Sequence, residues 1–208
     1  MIVNLDSTRV LQERFGPGQP RVVARAPGRV NLIGEHTDYN EGYVLPFAID
    51  RYTEVALRHR SDSQVLVYSA NLAQIFSLAL PLQNPRPCGS WSDYLVGVLV
   101  ELFRRSEPTF GFEAAIVSNV PLEAGLSSSA SFEMALAVGL SQLYELEFTG
   151  LELVQLCQRA ESVFVGMPCG IMDQYVAYLL NQNMPFFWIP ERWKVAWSPC
   201  GLMRWIYM

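Results

Sequence analysis

The stretch Val120-Pro-Leu-Glu-Ala-Gly-Leu-Ser-Ser-Ser-Ala-Ser-Phe-Glu-Met-Ala-Leu-Ala-Val-Gly-Leu-Ser-Gln-Leu-Tyr144 joins a glycine/serine loop to a periodic apolar run. Phe132, Leu136, Leu140 and Leu143 recur at three- and four-residue steps, which predicts an amphipathic helix in the second half. Gly125 and the serines 127, 128 and 129 stand where an N-cap belongs. A loop of this kind gathers unpaired backbone N–H groups and the positive end of the helix dipole at one point, which favours a bound anion. Serine hydroxyls add donors, and one can ligate a metal ion riding on a phosphate. An ordinary capped helix after a flexible turn has the same appearance, so the loop takes its meaning from the rest of the chain.

The 208 residues suffice for one large domain or one and a half small ones. Half are hydrophobic and 17% charged, as in a well-cored globular protein. A net charge of −5 gives no electrostatic case for nucleic acid or an anionic membrane. Cys88, Cys157, Cys169 and Cys200 form no CxxC pair or other metal-ligand spacing and read as reduced thiols, which places the protein in the cytoplasm. Residues 1–14 lack the apolar core of a signal peptide, and no run is long enough to span a bilayer.

In chain order, the pattern predicts a short helix within residues 1–20 and a strand over Arg21–Ala26 stopped by Pro27-Gly28. Strands follow over Tyr43–Leu57 and Gln64–Ser69, with a weaker one over Ile75–Leu80. Trp91–Arg105 reads as a helix, Phe110–Asn119 as a strand leading into the serine loop, and Leu151–Val165 and Ile171–Leu180 as further helices. Strands following one another directly disfavour a doubly wound parallel sheet; the expected class is α/β (α+β).

Three polar constellations could carry chemistry. Arg29, Glu35, His36 and Asp38 crowd ten residues, and carboxylates packed that closely suit a ligand rich in hydroxyls. The second is the serine loop. The third is Glu161 with Asp173, bracketing Gly166–Gly170: one carboxylate would complete a magnesium shell begun by a serine, the other would accept a proton from a hydroxyl. Each constellation alone also fits a solvated surface. Together they are the parts of phosphoryl transfer from a nucleotide. Neither the Walker A pattern nor the protein-kinase motifs occur, so a different kinase architecture is required.

Arg25-Ala-Pro-Gly-Arg-Val-Asn-Leu-Ile-Gly-Glu-His-Thr-Asp-Tyr-Asn-Glu-Gly-Tyr-Val-Leu-Pro46 resembles the galactokinase signature. Gly125-Leu-Ser-Ser-Ser-Ala-Ser131 resembles the phosphate loop of the wider GHMP kinases, and Gly166-Met-Pro-Cys-Gly-Ile-Met-Asp-Gln174 is again galactokinase-like. The resemblance covers about residues 8–180. It implies a GHMP kinase N-terminal domain over residues 1–180: a mixed sheet with helices packed mainly on one face. It implies ATP-dependent phosphorylation of D-galactose at the anomeric oxygen, with Mg2+. Glu35, His36, Thr37 and Asp38, with Gly170 and Asp173, would hold the sugar. Asp173 would take the proton and Arg29 would steady the transferring phosphoryl group. Glu123, Ala124, Gly125, Leu126, Ser127, Ser128 and Ser129 would wrap the ATP phosphates, and Ser129 with Glu161 would hold the magnesium. Ser69 and Trp91 would line the nucleotide site. Glu123 departs from the small residue usual in the family, which implies crowding or repulsion at a phosphate.

Beyond Tyr178 the resemblance stops. Residues 181–208 hold Trp188, Trp193, Trp197 and Trp205 with no sustained period, and the family's second domain is not there. A degenerate coding of Asn183–Lys194, read two bases on, gives His-Ala-Leu-Leu-Leu-Asp-Ser-Arg-Thr-Leu-Glu, which resembles the family's next strand. A frame slip near residue 182 is the expected origin of the tail; a short protein with an aromatic tail packed on the domain is the competing account. Loss of half the active site implies weakened or absent turnover and an exposed interdomain face prone to self-association. A sugar- and ATP-binding regulator, or a kinase for a related sugar such as galactosamine, are the rival functions.

Overall fold

The computed structural model describes residues 5–34, 44–179, 187–189 and 194–196. Its first helix, α1 (Ser7–Phe15), starts where the Asp6 carboxylate accepts a hydrogen bond from the Arg9 backbone N–H at 2.9 Å. Gly16, at φ 89°, ends it.

Strand β1 (Val22–Asn31) pairs antiparallel with β2 (Pro46–His59). Pro27-Gly28 does not stop β1, contrary to the sequence expectation. The register shifts between Pro27 and Arg29 instead, and the strand continues. Two conditions permit this: β1 lies at the sheet edge, and a bulge absorbs the N–H that proline lacks.

Strands β3 (Gln64–Ser69) and β4 (Gln74–Ala79) form a hairpin, followed by helix α2 (Ser92–Leu102) and strand β5 (Phe112–Ser118). The sheet order is β1-β2-β5-β3-β4, and β3 with β5 is its parallel pair. The sheet is therefore mixed, as expected.

Alternation decides which face each helix covers. Val55 and Leu57 of β2 and Ala114 and Ile116 of β5 point into the main core, with Leu95 and Leu99 of α2 and Leu136 and Leu140 of helix α3 (Ser128–Leu143). Burying each leucine contributes about 1.5–3 kcal/mol. The intervening Ala56 and Ala115 face the other way, where Leu11 of α1 packs on them. Their small side chains let α1 lie close. The remaining helices share the main-core face, so the helices do lie mainly on one side. Gly139 brings α3 close to the sheet: a Cβ there would meet Leu57 Cδ1 at 2.4 Å.

Helix α4 (Gly150–Arg159) opens with a capping box in which Thr149 and Glu152 satisfy one another's backbone N–H groups. The expected helix to Val165 changes its winding at Ala160, where a π-helical segment (Ala160–Val165) begins. Extra residues in a turn re-aim the side chains, and such segments cluster at functional sites. Helix α5 (Met172–Leu179) then packs against β1, α3 and α4. Strands β6 (Phe187–Ile189) and β7 (Lys194–Ala196) pair with each other; the rest of the tail lies outside the described residues.

Candidate active site

The loop between β5 and α3 takes backbone shapes that glycine prefers. Glu123, Gly125 and Ser127 have φ of 56°, 67° and 55°. Ser127 occupies the N-cap position of α3 but makes no side-chain cap hydrogen bond. Its hydroxyl donates to Asp173 Oδ2 at 2.5 Å instead. The first N–H groups of α3 thus lack a side-chain acceptor, the arrangement that recruits an anion. Ser131 serves the fold: its buried hydroxyl donates to the Ala26 carbonyl at 2.7 Å and meets Thr53 Oγ1 at 2.9 Å, tying α3 to β1 and β2.

Gly28 lets the loop lie on β1. The Leu126 carbonyl accepts from the Arg29 backbone N–H at 3.1 Å, and the Gly125 carbonyl from Arg29 Nη1 at 2.7 Å. The same guanidinium grips Asp173 in a fork, Nε to Oδ1 and Nη2 to Oδ2, both at 2.8 Å. Arg29 therefore joins the strand bulge, the serine loop and α5. Asp173 is fixed in orientation, and its oxygens keep spare lone pairs for a further donor.

Glu161, on the π-helical segment, is 8% exposed, and the side chains of Ser129 and Cys169 lie near enough to its carboxyl to influence it. The serine and carboxylate expected to share a metal are thus neighbours. Burial pushes the Glu161 carboxyl above its ordinary range, opposed by the Ser129 side chain. Burial, then the neighbouring Glu161, raises the Cys169 thiol. Beneath lie Gln174, which closes the third motif but was given no role there, and Glu133, which lies outside the motifs. Gln174 Nε2 donates to Glu161 Oε2 at 2.7 Å and to Glu133 Oε2 at 3.3 Å. Glu133 and Gln174 are fully buried, and burial drives the Glu133 carboxyl well up. Helical spacing was the available signal: Glu133 follows Ser129 by four residues, on the same face of α3.

Among the described residues, no group of three or more His, Cys, Asp or Glu could hold a metal ion unaided. A Ser129–Glu161 pair matches an ion that takes its other oxygens from phosphates and water, as Mg2+ does. The donor set fits that group.

Trp91 lies beyond the loop, its Nε1 donating to Gln74 Oε1 at 2.7 Å and its ring near Phe76 and Phe132. Ser69 is buried at the end of β3, with Gln74 as its register partner across the hairpin. Both nucleotide-side candidates therefore adjoin Gln74. Gly170 is half-buried just before α5. Glu35, His36, Thr37 and Asp38 lie outside the described residues. A groove of about 690 Å³ lined by Ser141, Glu145, Phe148, Glu152 and Tyr178 contains none of the converging residues.

The model of the galactokinase galactose-binding signature matches residues 10–59, and that of the GHMP kinases N terminal domain matches residues 93–180. A galactokinase of Roseiflexus sp. (strain RS-1) is 47% identical over 175 residues, which are 82% of this chain and 44% of that protein. A galactokinase of Thermosipho africanus (strain TCF52B) is 42% identical over 163 residues, 78% of this chain and 45% of that one. Lactococcus lactis galactokinase, solved in complex with galactose, superposes with a TM-score of 0.83 at 36% identity, over 92% of this chain and 50% of that one. Methanococcus jannaschii mevalonate kinase shares the fold, with a TM-score of 0.74 at 22% identity over 88% of this chain and 57% of its own. The chain spans about half the length of the relatives it matches. A galactokinase galactose-binding signature and a GHMP kinases N-terminal domain thus occur together in this chain, which is similar to the N-terminal part of galactokinases.

Proposed function

We propose that these residues are the nucleotide and proton-transfer half of a site that moves the γ-phosphoryl group of ATP to the anomeric hydroxyl of galactose. The observation that carries this reading is the convergence of Arg29, Ser127, Ser129, Glu161 and Asp173 at the open N-terminus of α3. The loop 123–129 supplies backbone N–H groups to the phosphates, and the dipole of α3 adds a favourable field. Ser129 and Glu161 hold Mg2+, which neutralises charge on the phosphates when bound.

Asp173 orients the sugar hydroxyl and accepts its proton as the oxygen attacks. Ser127 occupies one Asp173 lone pair in the free protein, and the incoming hydroxyl takes its place. Arg29 keeps its fork on Asp173, stands beside the transferring group and offsets its charge. Glu35, His36, Thr37 and Asp38 contact the remaining sugar hydroxyls. The relatives' additional length makes transfer by this chain alone the point at issue.

The test pairs calorimetric titration of ATP in Mg2+ with transfer of labelled phosphate to galactose and to galactosamine. Binding with transfer supports the kinase reading, and the ratio between sugars sets the preference. Asp173→Asn is expected to keep ATP binding and lose transfer. A chain that binds neither ATP nor galactose overturns the reading.

A further inference from the structure

Glu133 and Gln174 pose a question of stability. Both are fully buried beneath the serine loop, and Glu133 Oε1 and Gln174 Oε1 have no hydrogen-bond partner. Leaving a buried polar atom unpaired is destabilising. Apolar residues of the same volume at such positions are often neutral or stabilising. A core chosen for stability alone would not place an amide and a carboxyl here.

The geometry indicates what they do. The Gln174 amide directs N–H groups to two carboxyls, Glu161 at 2.7 Å and Glu133 at 3.3 Å. Glu133 sits one helical turn below Ser129 on α3, while Gln174 follows Asp173 on α5. The amide thus ties the helix carrying the serine to the segment carrying Glu161, through the residue beside the proton acceptor. With Oε2 of Glu161 held by the amide, rotation of that carboxyl would break the bond and leave a buried N–H unpaired. Partners of this kind orient ligating carboxylates, and their loss costs roughly 10–100-fold in metal affinity.

We propose that Gln174, seated on Glu133, is a positioning residue that aims the Glu161 carboxylate at the metal carried on the nucleotide. The role rests on the function proposed above. It acts on the metal and not on the phosphates, so it separates from a merely structural role by where the loss appears.

The experiment measures ATP affinity of the full chain twice, with Mn2+ and with EDTA, and the melting temperature of each variant. Gln174→Met keeps the volume and removes the donors. Its expected effect is a fall of about tenfold in the Mn2+-dependent gain in ATP affinity, with affinity in EDTA and the melting temperature near those of the unsubstituted chain. Glu133→Leu is expected to do the same. Glu133→Gln still presents an acceptor to Gln174 and retains most of the gain, so the Glu133 pair decides the matter if Gln174→Met does not fold. A gain unaffected by Gln174→Met, or equal losses with Mn2+ and EDTA, overturns the positioning role alone. An unsubstituted chain whose ATP affinity ignores Mn2+ removes the Ser129–Glu161 metal site itself, and this role with it.

Discussion

A Cβ placed on Gly28 would stand 2.7 Å from the carbonyl oxygen of Leu126 and 2.9 Å from Val120 Cγ1. One missing methyl group thus lets the serine loop rest on the edge strand, with Arg29 reaching into it from the next position. Gly28→Ala is expected to lift the loop, cost about 1–3 kcal/mol of stability and weaken ATP binding by about tenfold or more, since roughly 1.4 kcal/mol is a factor of ten. Calorimetry beside thermal unfolding checks both, and an unchanged ATP affinity would show that the loop does not need this contact.

Glu123 combines a left-handed backbone with a negative charge on a loop proposed to hold phosphates. Glu123→Gly removes both penalties. ATP is expected to bind several-fold more tightly, with the gain shrinking at high ionic strength. Stability changes little, because strain relief of about 1 kcal/mol is offset by the greater unfolded-state freedom of glycine. A titration series from low to high salt reads the outcome.

Asp93 supplies a pH dependence of known sign. Burial alone would raise its carboxyl, but hydrogen bonds from the N–H groups of Cys88, Gly89 and Ser90 outweigh that and hold it below its ordinary 3.8. A depressed carboxyl contributes stability above its ordinary value, and the contribution is lost as pH falls through the lower, folded value. Asp93→Asn is expected to destabilise the protein at pH 7, with the difference narrowing below about pH 4. Urea midpoints across that range test it; a difference constant with pH would refute it.

Arg58 fastens α1 to the sheet. Its guanidinium donates to Glu113 and to the carbonyls of Phe15, Gly16 and Pro17. Arg58→Met is expected to cost about 1–3 kcal/mol, and amides of Ser7–Phe15 should exchange faster while those of β5 keep their protection. Uniform acceleration across both would argue for a global effect instead.

The order of elements was legible because periodicity is a local property. The run from Phe132 to Leu143 predicts a helix without knowledge of its neighbours, and α3 covers it. Pro27-Gly28 misled for the same reason: a stop signal was read locally, while an edge position and a bulge carried β1 through it. The expected helix does run to Val165, but nothing in the local pattern marks its change to π-helical winding at Ala160. Of the proposed site, Arg29, Ser129, Glu161 and Asp173 could be named from motifs, and the structure brings them together. Ser127 was placed among phosphate contacts, yet its hydroxyl faces Asp173. Glu133 stayed hidden and Gln174 was quoted in a motif without a role, since a buried carboxyl and amide acquire meaning only when three segments meet.

The fork between Arg29 and Asp173 spans 144 positions of sequence. Strand β1 leaves the ribosome early, whereas α5 emerges only after β5, α3 and α4. Until then the guanidinium has no carboxylate, and the serine loop rests on a strand with nothing behind it. The proposed catalytic centre is therefore the last thing this domain acquires during synthesis, and contacts of such long range form slowly. A nascent chain halted before residue 173 would carry the sheet and no acceptor for a proton.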